Sequence, residues 1–220
     1  MTVSTDSGAA ADVAAPGGGG AAHRSQPWLA VAALILGLAL GVAAGLLIPR
    51  LGHPGNSSVE AGFLRDMSTH HAQAVEMSMI AHADSANPRI VTLAGDIALT
   101  QHGQIGYMQA WLRDWDLSPT GTDAPMAWMP DASGSVVNGL MPGMATPEQL
   151  DALRKATGNT LDVQFLTLMR AHHLGGIHMA QEAIELSDDK NVDWLAQTMV
   201  SGQQGELALI DTLLKELQPA

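Results

Sequence analysis

From Trp28 to Ile48 the chain runs for 21 residues without a charged side chain. At 1.5 Å rise per residue, a helix of that length is about 30 Å long, the thickness of a bilayer core. A cleaved signal peptide has a shorter apolar region followed by a small-x-small site, which this segment lacks. The pattern therefore predicts an uncleaved transmembrane helix over 28–48. Residues 1–27, rich in Ala, Gly and Ser, read as a disordered tail, and 49–57 as a linker. Beyond residue 58 the period changes. Phe63, Met67, His70, Ala74, Met77 and Ala81 recur three and four apart, the stripe of an amphipathic helix. Phe165, Met169, His172, Gly176, Met179 and Ala183 form a second such stripe.

The two stripes coincide when the sequence is shifted by 102 residues. Phe63-Leu64 falls on Phe165-Leu166, His70-His71 on His172-His173, Gln101 on Gln203 and Leu112 on Leu214. Such internal similarity marks a duplicated unit. Each unit reads as two helices. Ser57 with Glu60 suggests a capping box at the start of the first helix, and Asn87-Pro88 opens the second. In the other unit helices are expected over about 159–186 and 189–217. Between the units, Thr146-Pro147-Glu148-Gln149 opens a short helix after a Gly-, Pro- and Met-rich stretch. Two helix pairs joined by a long connection predict an all-α, ferritin-like four-helix bundle over 58–217, made of repeat units 58–117 and 159–217 and a connection 118–158. Gly95, Gly103, Gly106, Gly202 and Gly205 within the helices suggest close helix approach.

Composition sharpens this picture. Aromatic residues are only 4% of the chain, so Ala, Leu and Met must fill the core. The chain carries 22 acidic and 10 basic groups, a net charge of −12, which excludes a nucleic-acid partner. The absence of Cys excludes disulfides, thiolate metal sites and cysteine nucleophiles. All the net charge lies after residue 58, together with seven of nine His and eleven of twelve Met. The bundle is thus the working part and the span its tether. Gly37, Gly41 and Gly45 fall four apart in the span and suggest a homodimer through close helix packing in lipid.

The stripes point Met67, His70 and Met77 at one surface and Met169, His172 and Met179 at its counterpart, with His71 and His173 at the flanks. A twofold relation would bring the sets together, pairing His70 with His172. Neutral imidazole and thioether are borderline-to-soft ligands and suit copper better than Mg or Ca. The candidate metal ligands are therefore Met67, His70, His71, Met77, Met169, His172, His173 and Met179. Met126, Met129, Met141 and Met144 of the connection could help capture a soft ion. Imidazole must be neutral to bind, so an unperturbed pKa of about 6.5 predicts affinity falling below about pH 6. The competing reading is a structural or interaction bundle whose His and Met only pack. No Glu is followed by His three positions on, and no nucleophile elbow, His-Glu-x-x-His or phosphate loop occurs. The expectation is a non-enzyme.

The segments Phe-Leu-Arg-Asp-Met-Ser-Thr-His-His-Ala-Gln-Ala-Val-Glu-Met (63–77) and Phe-Leu-Thr-Leu-Met-Arg-Ala-His-His-Leu-Gly-Gly-Ile-His-Met (165–179) resemble the signature of a bacterial family, domain of unknown function 305. The family pattern has Phe, Met, His-His, an acidic residue and Met, then a Gln/Glu-rich helix ending in Met and Trp-Leu, here Gln101 to Leu112. This chain departs from it at His178, at Gln104 where Glu is usual, and at Leu213-Leu214. The resemblance implies a ferritin-like fold, export or membrane anchoring, and an association with copper. It places the bundle outside the cytoplasm, held at the cell membrane by a single span.

Overall fold

The computed structural model describes residues 27–130, 132 and 134–218, with the backbone alone for Pro27 and residues 46–51. Apart from Pro27, the expected tail lies outside the described residues. Among the described residues six helices follow one another: α1 (Pro27–Leu51), α2 (Val59–Asp84), α3 (Pro88–Asp114), α4 (Pro147–Lys155), α5 (Gly158–Leu186) and α6 (Lys190–Leu217). Among the described residues there is no strand beyond an isolated bridge between Val137 and Leu140. The class is all-α. The chain divides into two compact units, one ending at Pro49 and the other beginning at Arg50.

The described part of the first unit is α1 up to Pro49. Its segment Trp28–Gly45 is long and apolar enough to cross a membrane, and none of it is buried. A Cβ added at Gly37, Gly41 or Gly45 would meet nothing within 4 Å, so the small-residue stripe lies open.

In the second unit α2 pairs with α3, α5 pairs with α6, and α2 packs against α5. The last two run antiparallel. Glu60 at the start of α2 accepts hydrogen bonds from Ser187 Oγ and the Asp188 N–H at the end of α5. Asp162 at the start of α5 accepts from Ser85 Oγ at the end of α2. Residues 60 and 162, like 85 and 187, stand 102 apart, so the repeat of the sequence is also a repeat of contacts. Burial pushes the Glu60 carboxyl up, but bonds from its own and the Asp188 N–H groups and from Ser58 and Ser187 outweigh it and hold the pKa below the usual range.

Helix ends follow the sequence with one correction. Ser58, not Ser57, is the N-cap of α2, and its Oγ accepts from the Ala61 N–H at 3.2 Å. With Ser58 as the cap, the third helical residue is Ala61, so Glu60 closes no capping box; its carboxylate bonds Ser187 and Asp188 at the α5–α6 corner instead. Asn87 and Asp189 cap α3 and α6 at equivalent positions. Thr146 and Gln149 form the full capping box of α4. The helical glycines also differ from expectation. A Cβ at Gly103, Gly106, Gly202 or Gly205 would meet nothing within 4 Å, so these positions face open space and mediate no close approach. At Gly95 the added Cβ would lie 3.2 Å from His82 Nδ1, a side chain of the neighbouring helix.

The apolar core is in two pieces. One contains Phe63, Leu64 and Met67 with Met108, Leu112, Met179 and Met199; the other contains Met77, Ile90 and Ile97 with Phe165, Met169 and Ile210. Between them, at mid-height of the bundle, each long helix contributes polar side chains: His70 and His71, Gln101 and Gln104, His172 and His173, and Gln203. All are buried.

Candidate metal centre

Four histidines occupy the middle layer, each no more than 1% exposed. His70 and His172, from facing helices, stack with ring centroids 3.8 Å apart and planes 36° from parallel. This is the pairing the stripes predicted. His71 and His173 were expected at the flank, yet both are fully buried. The reason is that α2 packs on α3 as well as on α5, and α5 on α6 as well as on α2. The buried arc of each helix is therefore wider than one stripe.

Every ring has the same hydrogen-bond arrangement. His70 Nε2 donates to the Pro142 carbonyl at 3.0 Å, and His172 Nε2 donates to the His70 carbonyl at 2.9 Å. His71 Nε2 donates to Gln104 Oε1 at 2.8 Å, and His173 Nε2 to Glu206 Oε2 at 2.6 Å. A carbonyl or carboxylate oxygen can only accept, so each neutral ring carries its proton on Nε2. In the neutral form of the ring, Nδ1 is left with a lone pair. All four Nδ1 atoms are buried and none has a hydrogen-bond partner. A histidine that merely bridges two elements would pair both nitrogens, since an unpaired buried polar atom costs about 1–3 kcal/mol. Here every Nε2 is anchored and every Nδ1 is idle, the arrangement in which metal-ligating histidines are oriented by their second nitrogen.

Burial also fixes the charge state. It lowers the His70 pKa to about 4, against the opposing effect of the Pro142 carbonyl. It lowers His71 to about 3, aided by the neighbouring His70. His172 falls well below its ordinary value for the same reason, with His70 and His173 adding repulsion. These rings are neutral at pH 7 and ready to act as ligands.

The predicted methionines bracket this layer. Met67, Met77, Met169 and Met179 are fully buried, Met67 and Met179 on one side of the histidines and Met77 and Met169 on the other. Met126, Met129 and Met141 of the connection are buried too and join the Met67 side; Met144 packs against it. His82, His102 and His178 are exposed and take no part. Among the described residues no three His, Asp or Glu side chains converge as a ready-made cage. The neutral donor groups buried in and next to this layer are imidazole nitrogens and thioethers. Glu206, the carboxylate bonded to a histidine of the layer, is committed to His173 Nε2. Such a set fits a soft ion and not a hard one.

Sequence reasoning missed the anchors. Gln104 and Glu206 stand 102 apart and hold equivalent histidines, a correspondence visible in the repeat. The Pro142 carbonyl had no signal. It reaches His70 because the Asn138-Gly139 turn, with φ of 53° and 78°, reverses the chain, and because Gly143 (φ 77°) lies on the α5 backbone. Gln73 clamps the connection two residues further on, bonding both the N–H and the carbonyl of Ala145. A Cβ on Gly175 would stand 1.9 Å from the Pro142 oxygen. Gly175→Ala is therefore expected to push the connection off α5, deprive His70 of its acceptor and destabilise the fold by about 2–4 kcal/mol. Urea unfolding checks this.

A buried histidine layer inside a four-helix bundle defines the class of this protein. The DUF305 family, a domain of unknown function, matches residues 60–214, and the chain belongs to it. The crystal structure of a DUF305 protein from Streptomyces coelicolor, thought to be secreted, is 41% identical, covers 74% of this chain and 96% of its own, and superposes with a TM-score of 0.68. A DUF305 fragment from Deinococcus radiodurans is 27% identical over 72% of this chain and 96% of its own, with a TM-score of 0.60. CopM in its Cu(II)-bound form is 21% identical over 73% of this chain and 98% of its own, with a TM-score of 0.57, a likeness of fold. No curated protein matches.

Proposed function

We propose that this chain is a non-enzymatic copper-binding protein, tethered by α1 to the cell membrane with its bundle outside the cytoplasm. The observation that carries this reading is the set of four buried histidines, each anchored through Nε2 and each with an unpartnered Nδ1. His70, His71, His172 and His173 supply nitrogen; Met67, Met77, Met169 and Met179 supply sulfur. Mixed neutral nitrogen and thioether donors favour copper among the first-row metals, Cu(I) above all. Further support comes from CopM, a protein of similar fold whose structures include Cu(II)-, Cu(I)- and Ag-bound forms. The open apolar helix and the relative thought to be secreted support the location.

The purified full-length chain in detergent is expected to retain copper through gel filtration and to bind Cu(I) more tightly than Zn(II). No retention of Cu(I) or Cu(II) at micromolar concentration would leave the histidines as packing groups and favour an interaction module. We also propose that α1 pairs through Gly37, Gly41 and Gly45. Gly41→Ile should then reduce the crosslinked dimer in membranes; an undiminished dimer contradicts it.

A further inference from the structure

The two apolar clusters beside the histidine layer are related by the 102-residue offset, yet their chemistry differs. Phe63, Leu64 and Met67 on one side correspond to Phe165, Leu166 and Met169 on the other. Met108 and Met199 break the correspondence. Their counterparts are Ile210 and Ile97, both fully buried in the opposite cluster. Isoleucine therefore packs these two places in one lobe, while sulfur-bearing side chains occupy them in the other. The connection adds Met126, Met129 and Met141 to the sulfur-bearing lobe alone. Packing does not require this one-sidedness, because the isoleucine lobe fills the same positions of the repeat without it.

The connection is fastened there by dedicated means. Asp66 accepts from the Met126 N–H at 2.7 Å and from Trp128 Nε1 at 2.9 Å. Gly62 leaves the room Trp128 needs; a Cβ there would lie 2.6 Å from the Trp128 side chain. Met126 itself is held at φ 66°, a strained conformation for a residue with a side chain. Backbone strain is thus maintained at the point where the connection delivers its first methionine to the lobe.

We propose that this lobe is a second metal site, made of thioethers alone, for a soft monovalent ion such as Cu(I) or Ag(I). Met108 and Met199 form its floor and Met126 and Met129 its cover. The inference rests on the reading of the chain as a metal binder but not on the histidines being ligands. Thioether sulfur is soft and does not titrate, so the site takes Cu(I) or Ag(I) in preference to Cu(II) or Zn(II), and takes them at acidic pH.

Silver titration of the full-length chain, labelled at the methionine methyl groups and followed by NMR, tests the proposal. The methyls of Met108, Met126, Met129 and Met199 are expected to shift at pH 5 as at pH 7. The double variant Met108→Ile/Met199→Ile copies the opposite lobe. It is expected to lose one silver equivalent while keeping the histidine-dependent one. A His70→Leu/His172→Leu variant should show the reverse, so the two sites fail separately. If the isoleucine variant does not fold, Met126→Leu/Met129→Leu on the connection serves, with the same expected loss. Unmoved methyls in the parent, or either methionine variant binding as much silver as the parent, overturns the proposal.

Discussion

Replacing His172 with alanine is expected to destabilise the metal-free protein by about 2–4 kcal/mol and to weaken copper or silver binding by more than about 100-fold. The side chain is 1% exposed and stacks on His70 at 3.8 Å, so truncation opens a cavity in the middle of the bundle. It also removes one of the four idle Nδ1 atoms. The leucine variant separates these effects. Leucine fills most of the volume and eliminates a half-satisfied polar group, so His172→Leu should leave the metal-free stability within about 1 kcal/mol of the parent. Its metal affinity should fall as far as that of the alanine variant. His178→Ala, on an exposed position of the same helix, should change neither. Denaturant unfolding and silver titration of the three variants give both quantities. A leucine variant that binds metal like the parent would remove His172 from the site.

Acid is expected to destabilise the metal-free protein steeply between about pH 6.5 and pH 4. His70, His71 and His172 have folded-state pKa values pushed below their unfolded value of about 6.5 by burial. Below pH 6.5 the unfolded chain binds protons at these positions and the folded chain does not. Stability is therefore full above pH 6.5 and falls as pH drops toward the folded values, about 4 for His70 and about 3 for His71. Between pH 7 and pH 5 each fully neutral ring costs about 2 kcal/mol of stability. Urea midpoints across this range measure the loss. An ion that binds only the folded state opposes it by mass action. The same burial revises the expectation that affinity falls below pH 6. Protons compete poorly for these rings, so in the folded protein metal should be held to about pH 5. A stability flat from pH 7 to pH 5 would contradict the neutral, buried layer.

Much of this was legible in the sequence because the hydrophobic period and the repeat reinforce each other. The stripe carrying His70 and the stripe carrying His172 each specify a helix face, and the 102-residue offset specifies that the faces meet. The caps at Asn87 and Thr146 were readable from local chemistry. The cap of α2 was misplaced by one residue because Ser57 and Ser58 are adjacent, and the Glu60 that pointed to Ser57 bonds Ser187 and Asp188, distant in sequence. The burial of His71 and His173 was not readable from one stripe, because it depends on a third helix covering each flank. The connection was least legible. Its seat on α5 rests on the absence of side chains at Gly143 and Gly175 and on the carbonyl of Pro142, and a backbone oxygen leaves no mark in a residue pattern.

Copper or silver is expected to meet the histidine layer through Nδ1, at the stacked pair His70 and His172 first of all, while Nε2 stays protonated. Nitrogen-15 NMR of the imidazole rings during titration with Ag(I) or Cu(I), both diamagnetic, reads it atom by atom. In the free protein Nδ1 of His70, His71 and His172 is expected to resonate as an unprotonated nitrogen. On metal addition the Nδ1 signals of this layer should move, while the Nε2–H couplings to the Pro142, His70, Gln104 and Glu206 anchors persist. Movement at Nε2 with loss of those protons, or four Nδ1 signals unchanged by excess metal, would contradict it.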